Sequence, residues 1–189
     1  MVPIRFRESL MLAVMALFAF MAVGCCPVTR LNVTVELDPA YRAQIGDSKV
    51  QVDIVAINPN EHQRWQNYSM TEYWNNETMR KSAPVVTLTL DGTKEFSKSI
   101  SSNDPIWQKW LAGANEKDPP KIYVLAQIRK TWVAEKDDKP GDQDPRRQIL
   151  PLGSCRWDKD QGSPPNVHLT VKPTGIITDT QPKRDKAGS

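Results

Sequence analysis

Histidine is nearly absent from this chain: His62 and His168 are the only two in 189 residues. General acid–base and nucleophilic catalysis draw on histidine more than on any other side chain. His168 alternates with Val167 and Leu169 and so falls on a wet strand face, while His62 opens a polar segment. No HExxH, GxSxG, P-loop or GxGxxG run occurs, so the familiar local arrangements for metal hydrolysis, acyl transfer and nucleotide binding are missing. Cysteine is scarce too. Cys25, Cys26 and Cys155 have neither CxxC nor Cys/His spacing, which excludes the common redox and zinc motifs. Cys155 would be a nucleophile only with a histidine brought to it in space. No catalytic residue, cofactor or enzymatic activity is expected.

Charge of one sign is lacking as well. The net charge is +3, too small to argue for nucleic acid as a partner. Asp137, Asp138, Asp142 and Asp144 crowd one loop, and calcium favours several oxygens on such a segment. Their spacing is not that of an EF-hand, and Lys136, Lys139, Arg146 and Arg147 offset them. A solvated loop is the reading, with no metal. After residue 24 there is no apolar run long enough to span a bilayer, which takes about 20 residues, so a soluble body is expected.

What the chain does have is a leader. Arg5 and Arg7 precede an unbroken apolar run from Leu10 to Val23, which ends at Gly24-Cys25. A basic start, a short apolar segment and a small residue before the cut make a secretory signal. Ala22-Val23-Gly24-Cys25 resembles the lipobox of bacterial lipoproteins, with Ala22 where that family more often has Leu. The resemblance implies cleavage before Cys25, acyl chains on Cys25, and a protein held on the cell membrane or outer membrane facing away from the cytoplasm. Two or more acyl chains anchor stably, at about 0.8 kcal/mol per buried methylene. Loss of residues 1–24 removes Arg5, Arg7 and Glu8 and leaves a net charge of +2. With Cys25 given to lipid, Cys26 and Cys155 remain. In an oxidising compartment these two can form a disulfide, or they are a tether cysteine and an unrelated buried thiol.

The body reads as strands separated by turn chemistry. Leu31–Leu37 alternates apolar and polar, and Asp38-Pro39 ends it. Val50–Ile57 follows, then a strand opened by Pro84 in which Val86, Leu88 and Leu90 share a face. Asp91-Gly92 is a turn signal, with Glu95–Ile100 returning as the second arm of a hairpin. Ile122–Trp132 is the most apolar segment of the body and is placed centrally. Gln148–Leu152, Cys155–Trp157, Val167–Val171 and Gly175–Thr178 complete the strands. Two short helices are expected. One is capped by Asp104 with Pro105 behind it and buries Trp107 and Trp110; the other runs from Asn58-Pro59 to Tyr68.

The fold expected is all-β, a β-sandwich with one or two short helical insertions, the alternative being a small α+β fold. The organisation is a signal peptide (1–24), a lipid-anchored tether (25–30), a sandwich (31–178) and a disordered tail (179–189). A long exposed loop is expected over 136–147.

Trp65, Tyr68, Tyr73 and Trp74 lie among Gln66, Asn67, Asn75 and Asn76. Aromatic rings between amides suit sugar stacking or a protein interface, or they anchor helix to sheet. Sequons at Asn32, Asn67 and Asn76 are incidental beside a bacterial leader. The order of elements resembles the TssJ-type outer-membrane lipoproteins of type VI secretion. The shared features are the lipobox, a first strand Leu31-Asn32-Val33-Thr34-Val35, a strand at Val50–Ile54, an aromatic segment, a strand at Ile122–Arg129 leading into a loop, and an alternating strand at Val167–Val171. The 136–147 insertion and the Asp104 helix depart from that pattern. The resemblance implies a two-sheet sandwich that tethers a secretion complex by binding an inner-membrane partner through loops. The function expected is a non-catalytic binding or scaffolding module of the cell envelope, using loops 59–78 and 134–147. The alternative is a carbohydrate-binding module built on Trp65, Tyr68, Tyr73 and Trp74.

Overall fold

A computed structural model of the chain describes residues 27–115, 118–128, 144–158 and 164–183. Among these residues eight strands form two four-stranded sheets. In chain order they are β1 (Asn32–Leu37), β2 (Lys49–Ile57), β3 (Val85–Asp91), β4 (Ser97–Ile100), β5 (Lys121–Ala126), β6 (Arg147–Pro151), β7 (Asn166–Lys172) and β8 (Gly175–Thr178). One sheet runs β4-β1-β7-β8, with β1 and β7 parallel. The other runs β3-β2-β5-β6 and is antiparallel throughout. The body is a β-sandwich.

Alternation sets the core. β1 buries Val33, Val35 and Leu37 and turns Thr34 and Glu36 outward, the period-2 pattern of a strand with one wet face. The inward residues meet Val52, Ile54, Ile122 and Val124 of the facing sheet, and Trp107 and Trp110 plug the interface. The two indoles stand edge to face at 5.0 Å. β5 is different: Ile122 to Ala126 are buried without a break. Its outer face is covered too, because the chain between β2 and β3 folds back over that sheet as helices.

Among the described residues five short α-helices interrupt the strands, where two were expected: α1 (Pro39–Ile45), α2 (His62–Asn67), α3 (Met70–Asn75), α4 (Glu77–Lys81) and α5 (Ile106–Trp110). Asp38-Pro39, taken as a strand stop, also starts α1. Asp38 Oδ1 accepts from the N–H groups of Ala40 and Tyr41, and Pro39 sits in the first turn, where its missing N–H costs nothing.

Other expectations are corrected. β3 and β4 are not a hairpin, since β4 pairs with β1 in the opposite sheet. The carboxylate of Asp91 accepts from the N–H groups of Thr93, Lys94 and Glu95 and winds the chain into a wider loop that crosses between sheets. Cys155–Trp157 is not a strand: Ser154–Arg156 is a single 3-10 turn. Ile122–Trp132 ends as a strand at Ala126, and its residues from 129 lie outside those described. Residues 144–147, assigned to an exposed loop, are largely interior: Asp144, Arg146 and Arg147 are buried. At the C-terminus, Lys183 N–H donates to Arg156 O at 2.7 Å and Thr180 bonds β7, so the tail does not begin at Asp179.

Candidate contact surface

Residues 58–81 cross the outer face of the β3-β2-β5-β6 sheet. Trp65, Met70, Tyr73 and Met79 pack on Val55, Ile57, Tyr123 and Leu125, forming a second core. Each helix here is too short to hold its shape in isolation, so capping and packing must do so. Ser69 and Glu72 form a capping box at α3, and Asn76 Oδ1 accepts from Met79 N–H at α4.

The four aromatics singled out from the sequence are split by this packing. Trp65 is 3% exposed and Tyr73 1%, with ring centroids 5.8 Å apart, and Trp65 also meets Tyr123 at 6.1 Å. These two hold helix to sheet and cannot meet a ligand, which corrects their assignment as contact residues. Tyr68 and Trp74 are only partly buried. The exposed aromatic row that sugar stacking needs is therefore not formed by these four residues.

A polar clamp lies beneath α3 and α4. Asp53 projects from β2 on the same face as Val55 and Ile57 and is wholly buried. Arg80 approaches its two oxygens at 2.8 and 3.1 Å, Tyr73 Oη donates to it at 2.8 Å, and Thr87 Oγ1 at 2.6 Å. The Arg80 guanidinium also lies 4.6 Å from the Trp74 ring centre. Burial first, and then the neighbouring Asp53 charge, push the Tyr73 phenol far above its usual range. The hydrogen bond to Asp53 favours the charged form of Arg80 further. One signal could have found this clamp: Asp53 is the one charge within the apolar run Val50–Ile57. Arg80 and Thr87 carried none.

The two loops chosen as contact candidates meet. Arg147, at the start of β6, donates through its guanidinium to Tyr68 O at 2.5 Å and Gln66 O at 3.3 Å. Next to it Arg146 grips Asp144 through Nε at 3.0 Å and Nη2 at 2.7 Å, so Asp144 is an ion-pair partner and not a member of a solvated acidic cluster. Asp137, Asp138 and Asp142 lie outside the described residues. Between the helical cover and this corner runs a groove of about 370 Å³, lined by Lys49, Met70, Thr71, Trp74, Asn75, Gln127, Ile128 and Arg146. Ile128 and the Asp144–Arg146 pair lie at that same corner.

The other sequence candidates are dispersed. His62 Nε2 lies 2.9 Å from Ile57 O, over one sheet. His168 is exposed on β7 in the other sheet. Cys155 is exposed and disulfide-bonded, which removes it as a nucleophile and as a buried thiol; Cys25 and Cys26 lie outside the described residues. Among the described residues no three His, Cys, Asp or Glu side chains are grouped to hold a metal, and no helix is long and apolar enough to cross a membrane.

No family model matches the sequence, and no curated protein matches it. Solved structures do show similarity. The type VI secretion lipoprotein TssJ1 from Pseudomonas aeruginosa is 11% identical over 84% of this chain and 100% of its own, with a TM-score of 0.44. Lip of Serratia marcescens, a membrane-bound component of the type VI secretion system, is 13% identical over 82% and 98%, with a TM-score of 0.47. A chain of a type VI membrane complex is 14% identical over 80% and 98%, with a TM-score of 0.44. Likeness at this level does not carry a function from those proteins to this chain.

Proposed function

We propose that this chain is a lipid-anchored, non-catalytic binding module of the cell envelope, held to the membrane through Cys25 and engaging an envelope protein through the groove beside Trp74. The observation that carries the reading is the opposition of two ends. At the first, Thr29 N–H donates to Leu152 O and Ser154 N–H to Pro27 O, so the chain leaves toward Cys25 beside the C-terminal end of β6. At the second, the N-terminal end of β6, Arg147 joins both candidate loops and the groove opens. β6 spans 5 residues, about 17 Å at the usual strand rise. An anchor at one end of a sandwich and a recess at the other suit a module that presents a surface away from the membrane. The sequence resemblance to TssJ-type lipoproteins makes a secretion complex the assembly to test first.

Two comparisons test this. Wild-type protein in the membrane fraction should carry acyl groups on an N-terminal Cys25, and Cys25→Ala should lose them together with membrane attachment. A photo-crosslinker at Thr71 should capture one envelope protein, and Trp74→Glu should abolish that capture with the fold intact. An unlipidated membrane protein, or capture indifferent to Trp74, overturns the reading.

A further inference from the structure

Cys155 is exposed and disulfide-bonded, and the two other cysteines of the chain, Cys25 and Cys26, both precede Pro27. The first described residues run antiparallel to residues 152–154 and bridge at Val28 and Gly153. Thr29 N–H donates to Leu152 O at 2.7 Å, and Ser154 N–H to Pro27 O at 2.9 Å. These bonds flank the bridge, so Val28 and Gly153 are a narrow, non-hydrogen-bonded pair. In the chain Cys26 is joined to Pro27 and Cys155 to Ser154, so the two cysteines adjoin the residues linked by the Ser154–Pro27 bond.

We infer that Cys26 is the disulfide partner of Cys155, and that this bond clamps the lipid-bearing end of the chain directly onto the sandwich. A disulfide needs Cα atoms about 4.4–6.8 Å apart, and the bond from Ser154 N–H to Pro27 O brings the chain next to Cys26 against the chain next to Cys155. Cys25 is one residue further along the chain from Pro27. Ser154–Arg156 tightens into a 3-10 turn, which ends the ladder there and leaves Cys155 open to solvent. The bond forms by exchange: one thiolate attacks an oxidised protein disulfide, the other displaces that protein from the mixed disulfide, and the oxidant leaves as a dithiol carrying the two electrons.

The clamp changes what the anchor does. A free tether would let the domain swing, whereas a disulfide one residue from the acylated cysteine fixes which end faces lipid. The turn at Ser154–Arg156 then lies against the bilayer, and the groove at the start of β6 points away from it. The lipid half of this inference rests on the proposed function; the pairing does not.

Membrane-fraction protein is denatured without reductant in N-ethylmaleimide, digested with trypsin and mapped by mass. Peptide 148–156 should be found joined to peptide 25–30, with fragment ions placing the bond on Cys26 and acyl groups on Cys25. Reduction should separate the two peptides. In Cys26→Ser, Cys155 should take up the maleimide while acylation is kept. Alkylated Cys155 in the wild type, or fragments placing the bond on Cys25, overturn the pairing. A Cys26–Cys155 bond beside an unacylated Cys25 upholds the pairing and overturns the lipid reading alone.

Discussion

Asp53 and Arg80 meet in a two-point ion pair, Nε to Oδ2 at 2.8 Å and Nη2 to Oδ1 at 3.1 Å, with the carboxylate wholly buried. The pair joins the middle of β2 to α4 and fixes the helical cover on the sheet. Removing one partner of a buried pair strands the other charge, which costs about 3–5 kcal/mol. The Arg80 side chain keeps 24% exposure, so Arg80→Met should cost about 3 kcal/mol, the low end. The double variant Asp53→Asn/Arg80→Met should recover part of that, because the stranded charge is gone. Urea midpoints for the two variants check both statements.

Tyr73 gives the clamp a pH signature. Its phenol is raised in the fold, through burial and the Asp53 charge. A group whose folded pKa is raised contributes stability that is intact below its unfolded pKa, about 10 for tyrosine, and lost as pH climbs from there toward the folded value. Stability should therefore fall above about pH 10. Tyr73→Phe should be less stable at pH 7, where it loses the bond to Asp53, yet show a shallower alkaline decline. Equal alkaline slopes in wild type and variant would remove Tyr73 from that role.

The sandwich was legible in the sequence because one-sided strands announce themselves: β1 and β7 alternate cleanly, and their buried residues are the ones alternation selects. The route between sheets was not. Asp91-Gly92 carries a hairpin signal, and what overrides it is a carboxylate drawing in three backbone N–H groups, together with Gly92 N–H bonding Gly46 O at 2.9 Å. The start of α1 was written in the chain in the terms that identified the Asp104-Pro105 helix, but at Asp38-Pro39 the strand before it hid the cap. Of the contact surface, the aromatic cluster was visible and its burial was not. Trp65 and Tyr73 turn inward because β5 leaves apolar Tyr123 and Leu125 uncovered on its outer face, a demand made by a strand about fifty residues away.

Gly175 should resist any side chain. Its φ is +147°, and a Cβ there would collide with Pro145 O, the carbonyl that accepts the Ile176 N–H at 2.6 Å. The β7–β8 turn and the buried 144–147 corner hold each other through this contact. Gly175→Ala should cost on the order of 3 kcal/mol, from backbone strain and the displaced hydrogen bond. A thermal midpoint within experimental error of wild type would show that Pro145 yields freely.

Trp65 and Trp74, nine positions apart in one aromatic cluster, should separate stability from binding. Trp65 is interior, packed between Tyr73 and Tyr123, so Trp65→Ala opens a cavity and should cost about 3–5 kcal/mol. Trp74 lines the groove and meets the Arg80 guanidinium at its ring face, and Trp74→Ala should cost only about 1 kcal/mol, the scale of a partly exposed cation–π contact. Partner capture from Thr71 should behave in the opposite sense. In conditions where both variants are folded, Trp65→Ala should capture as well as wild type, and Trp74→Ala should lose capture at least tenfold. That ratio corresponds to about 1.4 kcal/mol of binding. If capture instead followed stability across both variants, the groove would be a by-product of the helical cover and not a contact site.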